Sequence, residues 1–148
     1  MAIGNSEHKY ILEDKAINEK YGIRLDDIIA LEECGFMSTQ ALTLTTTIVG
    51  SKAIIFEDNG IYIGMLKSKD GRENKVNRYI YSFTQSGKEL LSVVAVNRND
   101  DYLLDALKLL KQQNIKNDNL VISAHKILNR DGETIRYEVK DLLVEDDN

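Results

Sequence analysis

The chain has no proline, a single cysteine, and no apolar run near the roughly 20 residues that a membrane-spanning helix requires. Without proline the usual marker of linkers is missing, and 148 residues fit one domain or a compact core with a terminal extension. The lone thiol, Cys34, excludes an internal disulfide and points to a reducing compartment. Residues Met1-Ala2-Ile3-Gly4-Asn5-Ser6 carry neither the basic region nor the apolar stretch of a signal peptide. A cytoplasmic location without membrane contact is therefore expected. The two histidines, His8 and His125, lie far apart and outside any ligand spacing, so neither a metal nor another cofactor is expected.

What is present is an ordinary globular balance, 43% hydrophobic and 29% charged, sufficient for a buried core. The net charge of -5 is unevenly spread. Residues 1–50 hold 4 basic and 8 acidic side chains, residues 51–99 hold 8 and 5, and residues 100–148 hold 7 and 11. This distribution argues against a general nucleic-acid coat but leaves room for one basic patch.

The pattern from His8 to Lys20 predicts a helix ended by Tyr21-Gly22, and a second helix follows from Leu25 to Cys34. Leu25, Ile28, Ile29 and Leu31 form its expected buried face, with Asp26 and Asp27 at the positive end of its dipole. The period then changes to that of strands: Leu42–Val49, then Ala53–Phe56 and Ile61–Leu66 about an Asn59-Gly60 turn, then Arg78–Phe83. Thr84 or Ser86 caps a helix reaching Val94, and Tyr102–Gln113 is the clearest helix in the chain. A terminal hairpin is expected from Leu120–Ala124 and Ile135–Val139 around Asn129-Arg130-Asp131-Gly132. The expected division is an unstructured N-terminus over 1–7, an α+β core over 8–98, a packed helix and hairpin over 99–143, and an acidic tail over 144–148.

A helix ending in Gly35-Phe36, a β hairpin, and Tyr81-Ser82-Phe83-Thr84 leading into a Gly87-containing helix resemble a winged helix. Ile28, Leu31, Gly35 and Phe36 match the close of its recognition helix, and Tyr81, Phe83, Thr84, Gly87 and Leu90 match its strand-to-helix step. Phe83 stands where leucine is common. A winged helix needs two helices before its recognition helix, and the pattern supplies one. Tyr21-Gly22-Ile23, Leu25 to Phe36, Thr84, Gly87, Leu90 and Tyr102 also resemble the C-terminal region of an uncharacterised bacterial family, domain of unknown function 2806. That likeness spans about residues 10–113. It implies a piece of a longer bacterial or phage-related protein and brings no catalytic residue.

The candidate recognition helix is acidic, with Asp26, Asp27, Glu32 and Glu33 against Arg24, and would repel phosphates. DNA binding would instead use Lys67, Lys69, Arg72, Lys75 and Arg78, read as the tip of a basic hairpin over 67–78. Enzyme chemistry has less support. Glu138-Val139-Lys140 downstream of Asp131 resembles a metal-dependent nuclease arm, but too little chain follows. Gly50-Ser51-Lys52 lacks the rest of a phosphate loop, and Cys34, at a helix C-terminus, reads as a buried structural cysteine. A protein-interaction or oligomerisation role is the first expectation, carried by the Tyr102–Gln113 helix. Its Tyr102, Leu103, Leu107 and Leu110 form one stripe, with Leu104 and Leu109 elsewhere on the circumference.

Overall fold

A computed structural model describes residues 3–4, 9–57, 61–93 and 101–144. Four helices and eight strands make a mixed α and β architecture in which every strand pairing is antiparallel. The strands are β1 (Ile3–Gly4), β2 (Lys9–Leu12), β3 (Met37–Ile48), β4 (Ile54–Glu57), β5 (Tyr62–Ser68), β6 (Asn74–Phe83), β7 (Leu120–Asp131) and β8 (Thr134–Tyr137). Their order is β3-β6-β2-β1-β4-β5-β7-β8. The helices are α1 (Lys15–Lys20), α2 (Leu25–Glu33), α3 (Gln85–Val93) and α4 (Tyr102–Gln113).

The long helix expected from His8 divides. Tyr10, Ile11 and Leu12 are all buried in β2, a run that suits a strand covered on both faces better than one stripe of a helix. Asp14 then caps α1, its carboxylate accepting from the Ile17 amide at 2.9 Å. Ile3–Gly4, placed by the sequence in an unstructured terminus, pair as β1 between β2 and β4. The Asn59-Gly60 turn and residues 145–148 of the expected tail lie outside the described residues.

α2 forms as expected but buries less of itself. Only Ile28 is buried and Leu31 half-buried, while Leu25 and Ile29 face solvent, because the helix rests on its neighbours along one narrow stripe. Gly35 ends it with φ +77, a conformation that glycine adopts without steric cost. Cys34, expected inside, is exposed.

The two motifs that flank the strand region meet in space. The Thr84 amide donates to the Phe36 carbonyl at 3.0 Å, and its hydroxyl donates to the Gly35 carbonyl at 2.6 Å. The same hydroxyl accepts from the Gly87 amide at 3.1 Å, which makes Thr84 the cap of α3.

The basic segment is not a hairpin. Strands β2, β1 and β4 stand between β5 and β6, so residues 69–73 form a crossover connection. That connection is tied down: the Lys69 amide donates to Asn119 O at 2.7 Å, the Asp70 amide to Asn119 Oδ1 at 3.1 Å, and the Gly50 amide to Gly71 O at 2.9 Å. The last contact continues the β3–β6 pairing beyond Ile48 and Asn74, and β3 also lies near β5, five places away in the strand order, so the sheet is strongly curved. α4 packs on β5 and β7, and its Leu103, Ala106, Leu107 and Leu110 join the core. No helix among the described residues is long and apolar enough to cross a membrane.

Candidate functional site

Along β6 the side chains alternate, with Asn74, Val76, Arg78 and Ile80 buried and Lys75, Asn77 and Tyr79 exposed. Strand parity therefore carries an arginine into an apolar row. Arg78 is 6% exposed. Its Nη1 donates to the Tyr10 hydroxyl at 2.7 Å and its Nη2 to the Thr46 hydroxyl. Its guanidinium carbon lies 4.8 Å from the centre of the Phe56 ring and 5.5 Å from that of Tyr10, which are cation–π distances.

No carboxylate pairs with this cation among the described residues. A guanidinium has five N–H donors. Two of them meet neutral hydroxyls here, and Nε is buried with no acceptor. Burial pulls the Arg78 pKa down from its usual value, with Tyr10 acting in opposition. Burial likewise raises the Tyr10 phenol, against the pull of Arg78. A buried ion normally has an opposite charge beside it, because desolvation costs several kcal/mol. Arg78 has rings and hydroxyls instead.

Arg78 lines a cleft between the sheet and α4. Leu12 and Phe56 line it from the strands, Leu103, Ala106, Leu107 and Leu110 from the helix. Glu13, Asp14 and Gln113 are also among the lining residues. The cleft is open to solvent on one side, and its free space is about 50 Å³, roughly three waters' worth by the usual packing of cavity water. Gly64 permits the close approach of α4, since a Cβ there would lie 2.5 Å from Leu107 Cδ1.

The start of α4 is held by a polar cluster. Asp105 Oδ2 accepts from Lys20 Nζ and from the Tyr21 hydroxyl, both at 2.5 Å. The Tyr102 hydroxyl accepts from the Leu12 amide at 3.1 Å and donates to Asn18 Oδ1 at 3.3 Å. Burial alone would raise the Asp105 pKa, but the hydrogen bonds from Lys20 and Tyr21 outweigh it and the net direction is down. A carboxylate depressed in the fold stabilises it above the unfolded pKa, about 3.9, and that stability is lost as pH falls through the folded value. Lys20 is largely exposed, so screening holds the contribution to about 1 kcal/mol. Urea titrations across the acid range should show Asp105→Asn less stable than the parent at neutral pH, with the gap closing below about pH 4. A constant gap would remove the carboxylate from this role. Burial pushes Tyr102 up to about 12, so its share of stability is present below about pH 10 and lost as pH rises towards 12.

The residues nominated by sequence fare unevenly. Lys67, Lys69, Arg72 and Lys75 are exposed, with Arg72 paired to Asp70 and Lys75 to Glu73. Arg78 does not belong with them. Tyr102, Leu103, Leu107 and Leu110 are all buried in the core, so that stripe of α4 is already covered by its own chain. Leu104 and Leu109 pack partly against the same core. Glu138 and Lys140 lie beyond the end of β8 rather than on a strand. His125 sits between the Lys140 carbonyl at 3.0 Å and the Ser123 hydroxyl at 3.1 Å. No cluster of three His, Cys, Asp or Glu side chains suited to a metal occurs among the described residues.

β3 is the first strand of the sheet, and its twelve residues, Met37–Ile48, include no charged side chain and no proline. Near its start the edge is guarded, since Glu32 accepts from the Thr39 amide at 3.1 Å and from its hydroxyl. From Leu42 to Ile48 the register with β6 is regular, and no strand pairs with the outer side among the described residues. No protein-family model, curated protein or solved structure matches the chain.

Proposed function

We propose that this protein is a non-enzymatic interaction module that associates with a second copy of itself through the β3 edge. The observation that carries the reading is the uncharged edge from Leu42 to Ile48. An edge strand offers a row of unpaired amides and carbonyls, and natural proteins usually blunt it with lysine, proline or a bulge. Here a bulge lies at the Ser38/Leu42 step, and the regular seven residues beyond it carry no such guard. In a chain of net charge -5, α2 presents Asp26, Asp27, Glu32 and Glu33, a surface that repels its own copy. β3 does not. Antiparallel pairing about a two-fold axis would set threonines opposite one another and cover the exposed side chain of Leu42.

A winged-helix-like core belongs to the same reading. In its support, α2 ends at Gly35, β3 and β6 form a long antiparallel pair, and β6 runs through Thr84 into α3. β4 and β5 are then an insertion between the two wing strands, and α1 is the one described helix before α2. A kinship with domain of unknown function 2806 is part of the proposal and would rest on Tyr21-Gly22-Ile23, Leu25 to Phe36, Thr84, Gly87, Leu90 and Tyr102.

A single-strand interface is small, and a dissociation constant in the micromolar range, roughly -8 kcal/mol, is expected. Sedimentation velocity should show a concentration-dependent dimer that Thr45→Lys converts to a folded monomer. A wild-type chain monomeric at all attainable concentrations would end the proposal.

A further inference from the structure

We infer that the cleft between α4 and the sheet is a binding site for a short-chain monocarboxylate, with its carboxylate on Arg78 and its apolar body against α4. This goes beyond the self-association reading and does not depend on it. Arg78 is more than nine-tenths buried, has no carboxylate partner among the described residues, and keeps its Nε without a hydrogen-bond acceptor while Tyr10 and Thr46 take the other two bonds. An anion supplied from outside would correct this, and a carboxylate matches the planar fork of a guanidinium in geometry as well as charge.

Three features of the surroundings narrow the ligand. The walls contributed by Leu12, Phe56, Leu103 and Leu107 are apolar, which favours a hydrocarbon body over a sugar or a hydrated ion. Glu13 and Asp14 line the same cleft and penalise every negative charge, so a single charge that Arg78 neutralises is favoured over phosphate or a dicarboxylate. The free space of about 50 Å³ in this open cleft admits a head group and a few carbons, with any longer chain left at the mouth. A ligand of three to five carbons fits all three.

Isothermal titration and side-chain chemical shifts of the wild-type chain, measured with butyrate, butan-1-ol and inorganic phosphate, test the assignment. Butyrate is expected to bind in the millimolar range, as its size allows, and to shift Arg78, Ala106 and Leu107 signals. Butan-1-ol and phosphate should each bind at least 10-fold more weakly, because each lacks one half of the recognition. Arg78→Met should lose the butyrate response by at least 10-fold while keeping a melting temperature no lower than the parent's, since it removes an unpaired buried charge and retains the packing volume. The wild-type comparison stands even where that variant fails to fold. Absent butyrate shifts, equal binding of butan-1-ol, or equal binding of phosphate would each overturn the assignment. A folded Arg78→Met that binds butyrate as tightly as the parent would overturn it as well.

Discussion

Leu107→Asp is expected to abolish the folded state. Leu107 lies on the inner stripe of α4, is buried, and closes against Gly64 of β5. Loss of the leucine alone costs about 2–5 kcal/mol, and an unpaired carboxylate in the same place adds several more. The total rivals the roughly 5–15 kcal/mol that holds a domain together. Circular dichroism should show loss of the cooperative thermal transition, whereas Leu107→Met, which conserves volume, should cost less than about 1.5 kcal/mol. The same substitution separates two roles for α4. A docking helix would yield a folded monomer that no longer binds, and a core helix yields no folded protein. The burial of Tyr102, Leu103, Leu107 and Leu110 predicts the second outcome. A folded Leu107→Asp monomer would return the stripe to the surface.

The second large effect has an unusual sign. In an exposed helix, replacing glycine by alanine gains up to about 1 kcal/mol. Gly87→Ala in α3 should instead lower stability by about 1–3 kcal/mol, because the added Cβ would overlap the Phe36 carbonyl oxygen. The obstruction is backbone, and it sits where the Thr84 amide and hydroxyl tie α3 to the end of α2, so rotation of a side chain cannot relieve it. Urea denaturation compares the two chains directly. A neutral or stabilising result would mean that α3 shifts freely against Phe36, and the interlock of the two motifs would lose its structural meaning.

Much of the local structure was legible in the sequence for reasons of period and capping. α4 falls on Tyr102–Gln113 as read, since three leucines at helical spacing leave little alternative. Thr84 and Gly87 mark the start of α3, and Gly35 the end of α2, because each performs a backbone task that few other residues can. What the pattern did not reveal is non-local. The run Tyr10-Ile11-Leu12 reads as a doubly covered strand only once α4 and β6 are brought beside it. The basic residues from Lys67 to Arg78 are close in sequence, but Lys67 falls on β5, Lys69 and Arg72 in the crossover, and Lys75 and Arg78 on β6, which does not pair with β5.

Arg78 was the residue most misread, and a signal for it was present. Extending the strand back from Ile80 through Val76 to Asn74 sets Arg78 on the apolar parity, two residues from each neighbour. A lysine-rich hairpin and a buried arginine differ here by one step of register. The character of β3 was readable in part: Met37–Ile48 has no charge anywhere along it, and only its position at the edge of the sheet leaves that uncharged row without a partner strand among the described residues.

The central claim, that β3 pairs with its own copy, is tested most directly by amide hydrogen exchange over residues 37–48 at several protein concentrations. Amides on the outer side of the Leu42–Ile48 segment should exchange quickly in dilute protein and become protected as concentration rises through the micromolar range, while β6 stays unchanged. Exchange over that segment that is identical at every concentration would contradict it.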